Sequence, residues 1–343
     1  MAPHKVMVVM EAAAIAAALF AATLSGIVIH SAAAQDVPRL PALAINRGGI
    51  SVSGVSSGAY MAHQFHVAHS RDIMGAAMLA GGPYYCAGGR YSFNIFRALA
   101  ICSDFVILFP FLGPPDVSAS IEKIERQAAR QTIDDPSHLA EDRVYLFSGT
   151  LDEQVPQSVV TALSEVYDAY IKPENIVYVD SVPAAHAMVT EDFGAACDEL
   201  APPYINDCGY DAAGALLMHI YGALDNPTEP RGRIIEFYQN EFLPADEETG
   251  MNPLGQVYVP EACAAGATCR LHVAFHGCGQ HQETIGDAFY ANAGYNRWAE
   301  ANNIIVLYPQ TRSLEYSFMG ISLPWPNPRG CWDWWGTPAA IIT

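Results

Sequence analysis

Positive charge is scarce in this chain, with 17 Lys and Arg against 36 Asp and Glu and a formal net charge of −19 over 343 residues. Neutralising a phosphate backbone takes clustered cations, and none occur, which excludes a nucleic-acid partner. No Cys-x-x-Cys pair is present, which argues against structural zinc. Beyond residue 35 there are no internal repeats, no low-complexity tracts and no Ser/Thr/Gly-rich linker to mark a second binding module. Only one apolar run, near the N-terminus, approaches the length of a membrane span. Against these absences stands a composition that is 51% hydrophobic and only 15% charged, which excludes a disordered chain and leaves ample material for a large core.

Residues 1 to 34 read as a targeting segment. Lys5 gives a thin positive start, Ala12 to Ile29 are almost wholly apolar, and Ala32-Ala33-Ala34 before Gln35 offers an Ala-x-Ala cleavage site. The expected mature chain is a single domain over residues 35–343, secreted to the extracellular space or the periplasm, with no stable membrane association once the leader is cut. An uncleaved anchor is the alternative. Eight cysteines behind such a leader point to oxidising export and up to four disulfides. Connectivity stays open, but the local pairs Cys197 with Cys208 and Cys263 with Cys269 are the simplest expectation. That choice leaves Cys86, Cys102, Cys278 and Cys331 for longer ties.

The segment Ile50-Ser51-Val52-Ser53-Gly54-Val55-Ser56-Ser57-Gly58-Ala59-Tyr60-Met61-Ala62 runs an alternating strand pattern into Gly-x-Ser-x-Gly and on into a helix-forming stretch. This is the pattern of a nucleophile elbow, a strand-to-helix turn so tight that a Cβ at Gly54 or Gly58 would strike backbone, with the Ser56 hydroxyl held exposed. Further along, strands are predicted at 75–80, 144–148, 175–179, 271–275 and 304–308, with helices between them near 118–131, from Pro156 onward, and over 294–302. The alternation implies an α/β fold with a mostly parallel central sheet covered by helices. The stretch from Pro202 to Glu241 reads as a lid or connector.

In an α/β-hydrolase the acid and the histidine follow the nucleophile in the order Ser, Asp, His. Ser56, Asp152 and His186 satisfy that order. Asp152 follows a buried strand through Gly149-Thr150-Leu151, and His186 stands in a Pro/Ala loop after the next one; the plainer roles are a helix-capping aspartate and a surface histidine. An oxyanion hole needs the amide after the nucleophile, that of Ser57, and a second amide from a His-Gly loop. That loop, Phe275-His276-Gly277-Cys278-Gly279-Gln280, lies after the nucleophile here, although it ordinarily precedes it. Such an inversion is what a circular permutation of the sheet produces.

Five segments carry a family resemblance: Ser53-Gly54-Val55-Ser56-Ser57-Gly58-Ala59-Tyr60-Met61, Ser148-Gly149-Thr150-Leu151-Asp152, Asp207-Cys208-Gly209-Tyr210-Asp211-Ala212-Ala213-Gly214, the His-Gly-Cys loop, and Gly330-Cys331-Trp332-Asp333-Trp334-Trp335-Gly336. Over most of residues 45 to 336 the chain resembles the secreted poly(3-hydroxybutyrate) depolymerases whose single catalytic domain is a circularly permuted α/β-hydrolase. The resemblance implies Ser56, Asp152 and His186 as the triad, and Ser57 and Cys278 as oxyanion amide donors. It also implies Trp335, and after it Trp332, as residues lining a cleft for a hydrophobic polyester or ester substrate, and it implies no cofactor. The last two segments are shared with feruloyl and other carbohydrate-ester esterases, which makes those esters the alternative substrate. A non-catalytic secreted binding protein is a further class, disfavoured because every catalytic position is intact. Such depolymerases usually continue through another helix beyond the Trp-Trp-Gly motif, whereas this chain stops at Thr343.

Three other features are weighed against simpler roles. His63, His66 and His69 recur every three residues, but no carboxylate stands at matching spacing, so no metal site is expected. His276 is expected to orient its turn rather than act as the base. Tyr316, Phe318, Trp325, Trp332, Trp334 and Trp335 cluster near the C-terminus in a Pro-rich stretch, where exposed aromatics and core packing compete as explanations.

Overall fold

The computed structural model describes residues 39–88, 94–103, 114–244, 249–318 and 321–336, the segments 94–96, 315–318 and 321–326 by their backbone. The expected leader, residues 339–343 and the side chains of Tyr316, Phe318 and Trp325 lie outside the described residues. In chain order the strands are β1 (Ile45–Val55), β2 (Gly75–Leu79), β3 (Arg143–Phe147), β4 (Ile176–Val179), β5 (Met188–Thr190), β6 (Ala195–Ala196), β7 (Ile205–Asp207), β8 (Arg233–Tyr238), β9 (Leu254–Val259), β10 (Cys269–Phe275), β11 (Ile304–Tyr308), β12 (Leu314–Phe318) and β13 (Ile321–Asn327).

An eight-stranded sheet has the order β4-β3-β2-β1-β10-β11-β9-β8. From β4 to β11 all neighbours are parallel, and β9 and β8 close the far edge antiparallel. The chain starts in the middle with β1, builds outward through β4, crosses to the opposite edge for β8 and β9, and only then lays β10 beside β1. This is an α/β-hydrolase sheet whose connectivity is cut ahead of the elbow strand, a circularly permuted α/β-hydrolase fold.

Period-2 alternation feeds two cores. Val52, Ala76, Met78, Val144 and Leu146 point to one face, beneath the elbow helix Ser57–Ala68 and helices Val117–Ala129 and Gln157–Asp168. Val55, Ala77, Leu79, Tyr145 and Phe147 point to the other, beneath helices Ala212–Tyr221 and Tyr295–Asn302. Both faces are covered, so the central strands read as near-continuous apolar runs.

The exceptions in β1 are Ser51 and Ser53, both fully buried. They bond the two ring nitrogens of His272 on β10, each at 2.7 Å, and continue to the hydroxyls of Tyr221 at 2.6 Å and Tyr295 at 2.8 Å. Burial pushes His272 down to about 3, so its ring is neutral, with one nitrogen donating and the other accepting. A satisfied polar tract at this depth fixes the register of β1 against β10, because any slip leaves the serines or the ring unpaired.

The reading of Pro202 to Glu241 as a lid or connector is corrected. Helix Ala212–Tyr221 buries Ala212, Ala213, Leu216, Leu217 and Ile220 against the sheet, and Arg233–Tyr238 is the edge strand β8. Asp211 caps that helix, accepting from Gly214 N–H at 2.8 Å, and also accepts from Trp298 Nε1–H at 2.7 Å, which joins the two helices of this face.

Four disulfides are present: Cys86–Cys102, Cys197–Cys208, Cys263–Cys269 and Cys278–Cys331. The two short loops pair as expected. Among the described residues no helix is long and apolar enough to cross a membrane.

Candidate active site

Ser56 closes β1 with φ 56° and ψ −125°, a conformation that L residues rarely adopt and that lifts its hydroxyl out of the turn. The turn survives because its neighbours lack side chains. A Cβ at Gly54 would lie 2.2 Å from the Gly58 carbonyl carbon, and one at Gly58 would lie 2.3 Å from Phe275 O. Ser56 N–H donates to Leu79 O at 2.9 Å, anchoring the elbow to the end of β2.

His186 Nε2 accepts from the Ser56 hydroxyl at 2.8 Å, and His186 Nδ1–H donates to Asp152 Oδ2 at 2.8 Å. The other Asp152 oxygen accepts from the amides of Gln154 at 2.9 Å and Val155 at 2.8 Å, so the carboxylate is locked by its own turn. That contact is a local turn rather than a cap of the next helix, whose N-cap is Pro156. The acid and histidine loops are laced together, Thr150 N–H donating to Val182 O at 2.9 Å and Leu151 N–H to Ala184 O at 3.2 Å. The structure thus brings Ser56, His186 and Asp152 into one hydrogen-bonded chain.

The His-Gly-Cys loop rises from the end of β10 beside the elbow. His276 is fully buried, donates from Nδ1 to Gly277 O at 2.8 Å and accepts at Nε2 from Thr311 N–H at 3.2 Å. Burial pushes it down to about 4, and a neutral ring suits one donor and one acceptor. Gly277 N–H donates to Gln280 Oε1 at 2.6 Å, which shapes the turn. Ser57 and Cys278 line the same cleft as Ser56, and neither backbone N–H has an acceptor among the described residues. Two amides beside one hydroxyl can receive a developing oxyanion. The segment behind them is tied to both: Cys331 is disulfide-bonded to Cys278, Trp332 N–H donates to Ser57 Oγ at 3.3 Å, and Trp332 Nε1–H donates to His276 O at 2.9 Å.

The cleft measures about 620 Å³. Trp335 lines it, but Trp332 does not: it is 4% exposed and packs edge-on against Phe275 at 4.8 Å. The second wall residue is Trp334, stacked on Tyr60 at 4.0 Å and met edge-on by Trp335 at 5.6 Å. A tight turn, Trp334 N–H to Trp332 O at 2.9 Å, reverses the chain between the two indoles, and the sequence carries no signal for it. Leu99, Leu200, Tyr204, Gln280 and Arg329 also line the cleft and were not anticipated.

The histidines of the elbow helix are engaged in packing. His66 bonds Tyr167 OH at 2.8 Å and Asp142 Oδ2 at 3.1 Å, a carboxylate from outside its helix. His63 Nδ1–H donates to Gly82 O at 3.1 Å, and burial pushes its pKa down to about 3. Among the described residues no group of three metal-ligating side chains converges.

No family model matches the chain. Among curated proteins, it is 42% identical over 307 residues to a poly(3-hydroxybutyrate) depolymerase of Delftia acidovorans, an alignment covering 88% of this chain and 57% of that protein's length. It is 36% identical over 326 residues to a polyhydroxybutyrate depolymerase of Talaromyces funiculosus, covering 91% of this chain and 89% of that one. Among solved structures it is similar to the PHB depolymerase from Penicillium funiculosum, with a TM-score of 0.75, 34% identity, and coverage of 87% of this chain and 90% of the other. A PHB depolymerase complexed with an R3HB trimer superposes equally well, at TM-score 0.75 and 34% identity.

Proposed function

Since the chain belongs to the poly(3-hydroxybutyrate) depolymerase family, as its likeness to the Talaromyces funiculosus protein over 89% of that protein requires, we propose that it is an exported serine esterase that hydrolyses poly(3-hydroxybutyrate) or a similar polyhydroxyalkanoate. The observation that carries this reading is the hydrogen-bonded chain from Ser56 through His186 to Asp152, opening into a cleft walled by indoles. The leader pattern of residues 1 to 34 and the four disulfides support export.

His186 Nε2 takes the Ser56 proton as Oγ attacks an ester carbonyl, and Asp152 stabilises the imidazolium through its bond to Nδ1–H. The amides of Ser57 and Cys278 hold the negative oxygen. Collapse of the tetrahedral species expels the alcohol half of the chain, which takes the proton from His186 and leaves an acyl group on Ser56. Water, deprotonated by the same nitrogen, then attacks the acyl carbonyl and releases a carboxylic acid, restoring the Ser56 hydroxyl. A neutral polyester meets no repulsion from an acidic protein, and Trp334 and Trp335 offer apolar faces along the chain. The direct experiment is hydrolysis of a poly(3-hydroxybutyrate) suspension beside a feruloylated sugar, with Ser56→Ala as control. Turnover of the sugar ester alone would replace the polyester reading.

A further inference from the structure

The cleft that holds Ser56 differs in charge from the chain around it. Acids outnumber cations by 36 to 17 in the sequence, yet among the described residues lining the cleft there is no acid, and Arg329 is the fixed cation. The Asp152 carboxylate lies behind His186, its side chain 1% exposed and both oxygens engaged. Elsewhere Arg39 pairs with Glu241, Arg71 with Asp134, Arg126 with Glu122 and Arg297 with Asp192, while Arg47, Arg130, Arg231 and Arg233 are exposed without an acid partner among the described residues. Arg329 is exposed and has no such partner among the described residues.

The backbone presents this side chain on a rigid loop. Asn327 Nδ2–H donates to Cys331 O at 2.7 Å, and Cys331 N–H donates back to Asn327 Oδ1 at 2.8 Å. Pro328 fixes the φ of the residue before Arg329. Gly279 N–H donates to Arg329 O at 2.7 Å, and Cys331 is disulfide-bonded to Cys278. The guanidinium is therefore mounted beside the loop whose Cys278 amide faces the reacting oxygen.

A polyester is neutral along its length and carries one charge at one end, a carboxylate. We infer that Arg329 recognises this terminal carboxylate, an inference that rests on the polyester reading above. When Ser56 attacks an ester, the acyl half stays on the serine, and the half leaving as an alcohol is the one that ends in the carboxylate. Arg329 accordingly acts on the leaving half, holding the chain end so that the ester cut lies a short distance inside it and a short hydroxyacid departs first. A guanidinium suits this task because it stays charged and matches a carboxylate in two parallel hydrogen bonds. It also offsets the repulsion that a net charge of −19 exerts on an anionic oligomer.

The test compares the (R)-3-hydroxybutyrate trimer as its free carboxylate and as its methyl ester, using the full chain, Arg329→Met and Arg329→Lys. The readout is the ratio of kcat/KM for the carboxylate over the methyl ester, so that any general loss of activity cancels. Arg329→Met is expected to lower this ratio about three- to fivefold at low ionic strength, the size of an exposed ion pair, while Arg329→Lys keeps most of it. The ratio of the unsubstituted chain should fall by a similar factor when salt is raised toward ~1 M. A ratio that Arg329→Met leaves unchanged overturns the inference and leaves the polyester reading standing. Hydrolysis of neither trimer, with the feruloylated sugar still cleaved, overturns the polyester reading itself.

Discussion

At the scale of single residues, the proposed triad yields separable expectations. Ser56→Ala removes the nucleophile but keeps every backbone contact of the elbow, so turnover should fall to the residue of catalysis that binding and the oxyanion amides supply, roughly three to four decades above water, with the thermal midpoint unchanged. Ser57→Ala should be mild, because the amide remains and only the acceptor for Trp332 N–H at 3.3 Å is lost. An inactive Ser57→Ala beside an active Ser56→Ala would reverse the elbow assignment. Asp152→Asn can keep its carbonyl oxygen on the amides of Gln154 and Val155, but it then turns an NH₂ toward His186 Nδ1–H and forces the wrong tautomer. Turnover should drop by a factor on the order of 10⁴. Normal turnover with a stability loss of about 1 kcal/mol would instead make Asp152 a turn former only. Trp335→Ala should impair hydrolysis of a polymer suspension far more than that of p-nitrophenyl butyrate, since remote binding along the chain is never used by a small ester. Equal losses on both substrates would mean that Trp335 supports the site from within.

Among the elements, the segment from Asn327 to Trp332 is the brace of the proposed oxyanion hole. A Cys278→Ala/Cys331→Ala variant keeps both amides but frees the loop, and it should lower kcat more than it raises KM. It should also cost about 3–4 kcal/mol of stability, given the sequence separation of 53. A stability loss with kcat intact would reduce the tie to a staple. The strands around the elbow were legible because β2, β3, β10 and β11 are buried on both faces, so their apolar runs stand out between loop signals. The edge strand β8 was not, since four of its six residues are exposed and it alternates weakly. Strands β5 to β7, two or three residues each, are too short to carry any period. Helix Ala212–Tyr221 was not legible as a core element, because a segment apolar nearly all round does not reveal which neighbour it covers. The convergence of Ser56, His186 and Asp152 was readable from residue order and strand ends. The exchange of Trp332 for Trp334 was not, because it depends on one tight turn and on a buried donor to His276 O.

For the molecule as a whole, the buried histidines set an acid limit. His63 and His272 are held down to about 3 and His276 to about 4, all by burial, against an ordinary value of 6.5. Above pH 6.5 neither the folded nor the unfolded state binds these protons, and the stability is fully present. As pH falls below 6.5 the unfolded chain takes them up while the folded one refuses, so stability declines by up to about 1.4 kcal/mol per pH unit for each ring until the folded values are reached. Urea midpoints measured from pH 7 down to pH 4 should fall steadily. A flat series would mean that these rings are not held neutral. The sheet order has a further consequence, in time rather than in space. Strand β1 pairs with β10, Val52 against Val273, across most of the chain. During synthesis β1 to β4 emerge while the inner edge of β1 still lacks its neighbour. An apolar strand with one side unsatisfied invites pairing with other chains. A chain with so late a central closure stays open to such pairing until its last strands arrive, and its refolding from denaturant should be slow and concentration-sensitive for the same reason.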